Sequence, residues 1–146
     1  MATQSAKTGQ VSVQILVNID VDNLEKAIAF YRDGLGLSLG RVLFDATVAE
    51  MLGASSRIYL IEARAGVPAT PEGTVRRDFN RHWTPVHLDF EVDDIESAVA
   101  RAEATGAKLE AAIRSSSWGR LATMSDPFGH GFCLLQFSSG GYDAQM

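Results

Sequence analysis

Three observations in the sequence predict an α+β fold made of two strand–helix–three-strand units. Twice, a stretch that alternates apolar and polar residues gives way to a stretch with helical spacing. The two occurrences superpose without a gap at a shift of 71 residues, which lays Val21 on Val92, Asp22 on Asp93, Glu25 on Glu96 and Ala27 on Ala98. Each helix is followed by three short strand candidates. A shift near half of a 146-residue chain implies one domain of two similar halves, since two copies are too few for a solenoid. The expected boundaries are a flexible tail at 1–10, repeats at 11–63 and 84–137 joined by a loop at 64–83, and a second flexible tail at 138–146.

In the first half, Val11, Val13, Ile15, Val17 and Ile19 are apolar, whereas Ser12, Gln14, Asn18 and Asp20 are polar and Leu16 breaks the pattern. This is the signature of a half-buried strand. Asp22 and Glu25 predict a capping-box start for a helix with Leu24, Ala27, Ile28, Tyr31 and Leu35 as its apolar stripe, ended by Gly34 and Gly36. Strands are then expected at 39–46, 47–52 and 57–63. In the second half, Val86, Leu88, Phe90 and Val92 alternate with His87, Asp89 and Glu91. Asp93 and Glu96 predict the second cap, Ile95, Ala98, Val99 and Ala102 the second stripe, and Gly106 its stop. Strands are expected at 108–113, 119–125 and 131–137, the last two joined by the turn Asp126-Pro-Phe-Gly-His-Gly131.

A net charge of −5 with both signs mixed along the chain excludes the basic stripe that nucleic acid requires. No apolar run approaches the roughly 20 residues of a membrane span, and the first ten residues lack the apolar core of a signal peptide. A cytoplasmic protein without membrane or nucleic-acid partners is the expectation. Its lone Cys133 has no intrachain partner for a disulfide.

Candidate functional residues lie on the polar faces of the first strands. Asn18 is equivalent to Asp89 under the internal shift, and Asp20 to Glu91. If that face lines a concavity, it forms a polar pocket; if it meets bulk water, it is a solvated face. His87 reads either as a partly buried imidazole bonded to its neighbours or as a ligand contact and general base, with Asp89 as its working partner. Cys133 reads as a small buried hydrophobe or as a ligand contact. Trp118 and Trp83 read as packing residues or as an aromatic wall for a planar ligand. Arg76, Arg77 and Arg81, close to Trp83 in the loop, read as a solvated charge cluster or as a receptor for an anionic or aromatic ligand.

The segments Asp22-Asn-Leu-Glu-Lys-Ala-Ile-Ala-Phe-Tyr-Arg-Asp-Gly-Leu-Gly-Leu37, Val86-His-Leu-Asp-Phe-Glu-Val-Asp-Asp-Ile95 and Asp126-Pro-Phe-Gly-His-Gly-Phe-Cys-Leu-Leu-Gln136 resemble the vicinal oxygen chelate superfamily. Glyoxalase I, bleomycin-resistance proteins and extradiol dioxygenases belong to that group. The resemblance implies that the two units curl into a cup-shaped, partly open mixed sheet with helices outside, and that the protein is a homodimer. It also implies metal-ligand positions at Leu16, Tyr59, His87 and Cys133. Leu16 has no lone pair, and a Tyr is an uncommon ligand at neutral pH. The metal site is therefore degenerate: no cofactor is expected, although a divalent metal through substitutes such as Glu62, Glu91 or Gln136 stays open. The function expected from this resemblance is small-molecule binding, with Asn18, Tyr59, His87, Trp118 and Cys133 as ligand contacts. The alternative is a metal-dependent lyase or isomerase, or a dioxygenase-related enzyme, acting on a small carbonyl or aromatic substrate. A metal-free enzyme with His87 and Asp89 as acid and base is a third reading.

Overall fold

A computed structural model describes residues 12–146. The first half contains β1 (Val17–Val21), α1 (Leu24–Ala29) continued by a π-helical turn (Phe30–Gly34), β2 (Ser38–Leu43), β3 (Val48–Leu52) and β4 (Ile58–Glu62). The second contains β5 (Leu88–Glu91), α2 (Ile95–Ala104), β6 (Lys108–Leu109), β7 (Arg114–Ser116), β8 (Gly119–Ser125) and β9 (Gly131–Phe137), followed by a 3-10 turn at Gly141–Gln145. The α+β class and the repeated unit are as the sequence predicts. The mixed sheet is present as two open sheets, ordered β1-β4-β3-β2 and β5-β9-β8-β6, with β7 also paired to β8. In each, the first strand of the half runs parallel to its last, β1 with β4 and β5 with β9. Among the described residues, no helix is long and apolar enough to cross a membrane.

One apolar core joins the halves. Phe30, Leu60, Ile95, Met124, Phe128 and Leu134 are at most 2% exposed and belong to a single cluster. The helices meet through the π-helical turn and α2, where Arg101 Nε donates to the Asp33 carbonyl at 2.6 Å.

Both helix starts lie one residue later than the expected Asp22 and Asp93. Asn23 accepts from Lys26 N at 3.0 Å, and Asp94 accepts from Ser97 N at 3.2 Å. Neither has an acidic residue three positions on, so no capping box forms. The next free N–H of each helix is taken by a distant strand instead: Leu24 N donates to Glu62 Oε2 at 2.8 Å and Ile95 N to Gln136 Oε1 at 2.9 Å. Glu62 and Gln136 are thus repeat equivalents that close each parallel strand pair onto its own helix.

Three expected strands end differently. The strand expected from residue 11 starts at Val17; Val13, Ile15 and Leu16 precede it, each more than half exposed, and Val11 lies outside the described residues. The strand expected at 39–46 stops at Leu43, because Phe44, Asp45 and Ala46 all take left-handed φ of 53° to 64° to turn the chain. The stretch expected at 108–113 keeps only two strand residues, where Glu110 turns toward Arg81 and Trp83.

Candidate functional site

The register of β5, β9 and β8 builds the site. Asp89 is the parallel partner of Cys133, and Cys133 is the antiparallel partner of Thr123, so the three side chains emerge in a row from one face. His87 stands two residues before Asp89 and therefore on the same face. Its Nε2 lies 3.3 Å from Asp89 Oδ1, with the two side chains 39% and 35% exposed. The ligand atoms of His87, Asp89 and Cys133 all lie within 4.8 Å of one another. Burial pushes the Cys133 thiol up to about 11, helped by the neighbouring Asp89 carboxylate. The protein alone therefore holds a thiol there, not a nucleophilic thiolate.

The first half repeats this row with other chemistry. Asn18, Tyr59 and Glu50 are register partners across β1, β4 and β3. Tyr59 takes the place of Cys133, as the family resemblance implies, but its hydroxyl donates to Glu50 Oε2 at 3.0 Å. Arg41 clamps the same carboxylate from β2 through Nε at 3.1 Å and Nη2 at 2.7 Å. Glu50 was not among the residues expected from sequence, although Arg41 and Tyr59 each stand nine residues from it, the spacing of cross-strand neighbours in a meander.

Hydrogen bonds from Arg41, with a smaller one from Tyr59, hold the Glu50 carboxyl at about 2, below its ordinary 4.5. A depressed folded value means that the clamp's contribution is complete above pH 4.5 and is lost as pH falls toward 2. Urea midpoints measured across this window should fall more steeply for the native protein than for Glu50→Gln, which has no proton to take up.

Asn18 and His87 line one cleft of about 580 Å³ between the two halves, with Val17, Phe90 and Phe132 as apolar wall and Thr84, Arg77 and His130 as polar wall. The 64–83 segment straps this cleft. Arg77 Nε binds Asp20 Oδ2 at 2.7 Å on the first half, and His82 N donates to the Gly129 carbonyl at 2.8 Å on the second. Arg81 clamps Glu110 with both guanidinium arms and lies 4.9 Å from the Trp83 ring. Of the loop arginines, Arg77 and Arg81 are therefore committed to carboxylates, and Arg76 donates to the Gly66 carbonyl at 3.1 Å. Trp83 packs edge-on against His87 at 5.1 Å.

A chain of imidazoles closes the strap. His82 Nδ1 meets the Asn80 carbonyl at 2.8 Å, His130 Nε2 meets the Asp20 carbonyl at 2.6 Å, and His130 Nδ1 meets His82 Nε2 at 3.1 Å. Carbonyls only accept, so all three bonds need three ring hydrogens, one more than two neutral imidazoles carry.

The remaining expected contacts lie elsewhere. Asp89 borders a second cleft of about 590 Å³ beside α2, which also holds Glu91. Trp118 packs tilted against Tyr142 at 5.4 Å and edge-on against Phe137 at 6.4 Å, and it lines neither cleft. Leu16 is 51% exposed just before β1. Of the substitute ligands, Glu62 and Gln136 are spent on the helix starts. The hard divalent cation implied by the superfamily resemblance thus meets a poor donor set: one imidazole, one carboxylate and a protonated thiol, with no donor at Leu16 and an engaged hydroxyl at Tyr59. Magnesium and manganese select oxygen-rich sites, and these residues do not fit them.

Two open sheets, each closing a first strand in parallel onto the last strand of its own repeat and joined through one core, define the vicinal oxygen chelate class. The chain belongs to the glyoxalase-like domain family, whose model matches residues 16–135. Curated protein sequences yield no significant match. Among solved structures, the antibiotic-binding protein TnmS3 from Streptomyces sp. CB03234 is similar at 26% identity, with 88% of this chain and 98% of that one covered and a TM-score of 0.62. The fosfomycin resistance protein FosX from Listeria monocytogenes shares the fold at 18% identity, 94% and 100% coverage and a TM-score of 0.68. A member of the glyoxalase/bleomycin resistance protein/dioxygenase superfamily from Sphaerobacter thermophilus DSM 20745 shares it at 21% identity, 86% and 98% coverage and a TM-score of 0.64. A FosX mutant has also been solved with Mn(II) and 1S,2S-dihydroxypropylphosphonic acid.

Proposed function

We propose that this protein binds a small, partly planar organic molecule in the cleft between β1 and β5 and holds it without chemical change. It is, on this reading, a drug-binding protein of the glyoxalase and bleomycin-resistance type that works without a hard catalytic cation. The observation that carries the reading is the cleft of about 580 Å³, with Phe90 and Phe132 beside Asn18, Thr84 and His87. Its volume and its mixture of apolar wall and few polar groups suit a drug-sized ligand. The similarity to the antibiotic-binding TnmS3 points the same way. The exposed apolar Leu39, Val42 and Phe44 on and beside β2 favour a homodimer, whose second copy would cover them.

The test is calorimetry of the full chain, with chelator present, against fosfomycin, bleomycin and planar aromatic antibiotics. Saturable binding of at least one, with the ligand recovered unchanged in mass, is expected. His87→Ala and Asn18→Ala should each weaken it about tenfold, the worth of one hydrogen bond in a closed site. Binding unaffected by both variants would place the ligand elsewhere.

The His87, Asp89 and Cys133 cluster favours one rival, a glyoxalase-like lyase or isomerase, or a dioxygenase-related enzyme. Such an enzyme would turn over its substrate in a chelator-sensitive way, the methylglyoxal–glutathione adduct being the first to try. The 3.3 Å contact of His87 with Asp89 would serve a metal-free acid/base variant of it, recognised by turnover that survives chelator.

A further inference from the structure

We infer that His82 and His130 share one extra proton, and that this proton latches the 64–83 strap across the cleft, so that the strap closes as pH falls and loosens as pH rises. The two residues pair twice. Their backbones form an isolated parallel bridge, in which His82 N donates to the Gly129 carbonyl at 2.8 Å. Their rings stand at right angles, with His130 Nδ1 3.1 Å from His82 Nε2. Both rings line the wall of the cleft.

The outer nitrogen of each ring decides what lies between the two. His82 Nδ1 meets the Asn80 carbonyl at 2.8 Å and His130 Nε2 the Asp20 carbonyl at 2.6 Å, so each must carry a hydrogen to bond there. A neutral imidazole has only one. With both carbonyls satisfied, two neutral rings would therefore turn two lone pairs on each other across 3.1 Å. A third hydrogen between them converts that repulsion into an imidazolium–imidazole bond, which is charge-assisted and stronger than a neutral one. Without it, one of the three bonds is lost and the strap residue separates from the turn residue.

The charges around the pair favour the extra proton. Asp20 on β1 and Asp126 in the β8–β9 turn bring two carboxylates, the second on a residue that is 5% exposed and accepts from His130 N at 2.9 Å. Against them stands the Arg77 guanidinium, bound to Asp20 from the strap. Arg81 donates to the His82 carbonyl, but both its arms are matched by the Glu110 carboxylate. Tyr31, from the π-helical turn, offers a neutral hydroxyl that is spent on Asp126, and His87 on β5 turns its Nε2 to Asp89. Two carboxylates against one guanidinium leave one negative charge, which a single proton on the pair cancels. Closing the latch thus takes up a proton that opening releases, so acid favours the closed form and base the open one.

The latch does not depend on what the cleft holds; only its use in gating a ligand rests on the function proposed above. Its test therefore reads the strap in the full chain without ligand, over the range of about pH 5 to 8 in which imidazoles change charge. Hydrogen-exchange protection of the His82 amide, corrected for the intrinsic exchange rate, should fall about tenfold across that range, the worth of one hydrogen bond. In His82→Ala the same amide should be weakly protected at every pH, with no slope. Nitrogen-15 spectra of the native rings should show a coupled titration in two separated steps, the first of which moves the signals of both rings together. Native protection that does not change with pH, a slope that survives in His82→Ala, or two rings that titrate independently would each overturn the inference.

Discussion

Replacing Asp126 with alanine is expected to remove about 3–5 kcal/mol of stability, the usual cost of breaking a buried polar network from one side. The Asp126 residue is 5% exposed, and its carboxylate accepts from three directions. Phe128 N donates to Oδ1 at 2.8 Å, His130 N to the same oxygen at 2.9 Å, and Tyr31 OH to Oδ2 at 2.7 Å. Alanine leaves all three donors without a partner, and each such buried group costs about 1–3 kcal/mol. The Tyr31 hydroxyl, which burial and then Asp126 hold well above its usual range, has no ionised form to escape into. Against a typical domain stability of about 5–15 kcal/mol, the loss should shift the urea midpoint by about 2 M. Asp126→Asn should cost far less. Its amide oxygen still accepts from both backbone N–H groups, and the Tyr31 hydroxyl turns to accept from the new amide. A midpoint for Asp126→Ala close to that of Asp126→Asn would mean that the turn does not depend on its carboxylate.

Period-two and helical spacing mark β1, α1, β5 and α2 because each buries one face on the shared core, and apolar spacing records burial directly. The end of β6 was not legible, because it depends on contacts made far along the chain, whereas β2 ends in a local turn of left-handed residues, Phe44, Asp45 and Ala46. Glu110 keeps a backbone bond to the Thr123 carbonyl at 2.9 Å just past β6 and sends its carboxylate to Arg81 and Trp83, 29 and 27 residues away. The helix caps lie one residue later than expected because Asn23 and Asp94, and not Asp22 and Asp93, accept from the N–H three residues on, and the next free N–H finds a distant partner. Glu62 and Gln136 reach Leu24 and Ile95 across 38 and 41 residues, so no local motif announces them.

The candidate site was legible in part. His87, Asp89 and Cys133 meet because strand register is itself a consequence of the apolar pattern, and the sequence carries that pattern. Tyr59 keeps the repeat position it was assigned, but its hydroxyl is claimed by Glu50, a carboxylate hidden inside the apolar run Val48–Leu52. Trp118 packs on Tyr142, in a tail whose sequence shows no periodicity to place it. The loop arginines read equally well as solvated or ligand-binding charges. Their partners, Asp20 and Glu110, lie 57 and 29 residues away and become visible only once the strap closes.

Gly129→Ala should give the other large effect, about 3 kcal/mol of destabilisation together with loss of ligand binding in the cleft. Gly129 has φ of +88°, where an L-residue costs about 1–2 kcal/mol. A Cβ there would also stand 2.6 Å from the Phe79 carbonyl oxygen and closer still to that of Asn80, both backbone atoms with no room to rotate away. The strap must therefore lift, and overpacking of this kind adds about 1–3 kcal/mol. Lifting it breaks the bond from His82 N to the Gly129 carbonyl and parts His82 from His130, so the wall of the cleft opens. Gly131→Ala separates the two consequences. The three atoms nearest its Cβ would all belong to the Trp83 ring, two of them at 2.5 Å, on a side chain that is 42% exposed. The indole swings aside, stability changes by less than about 1 kcal/mol, and the face that Trp83 presents to His87 is lost. Ligand affinity falling in both variants, with stability falling only in Gly129→Ala, would show that the strap holds the cleft in shape. Equal loss of stability in both, with affinity unchanged in Gly131→Ala, would reduce the strap to a packing element.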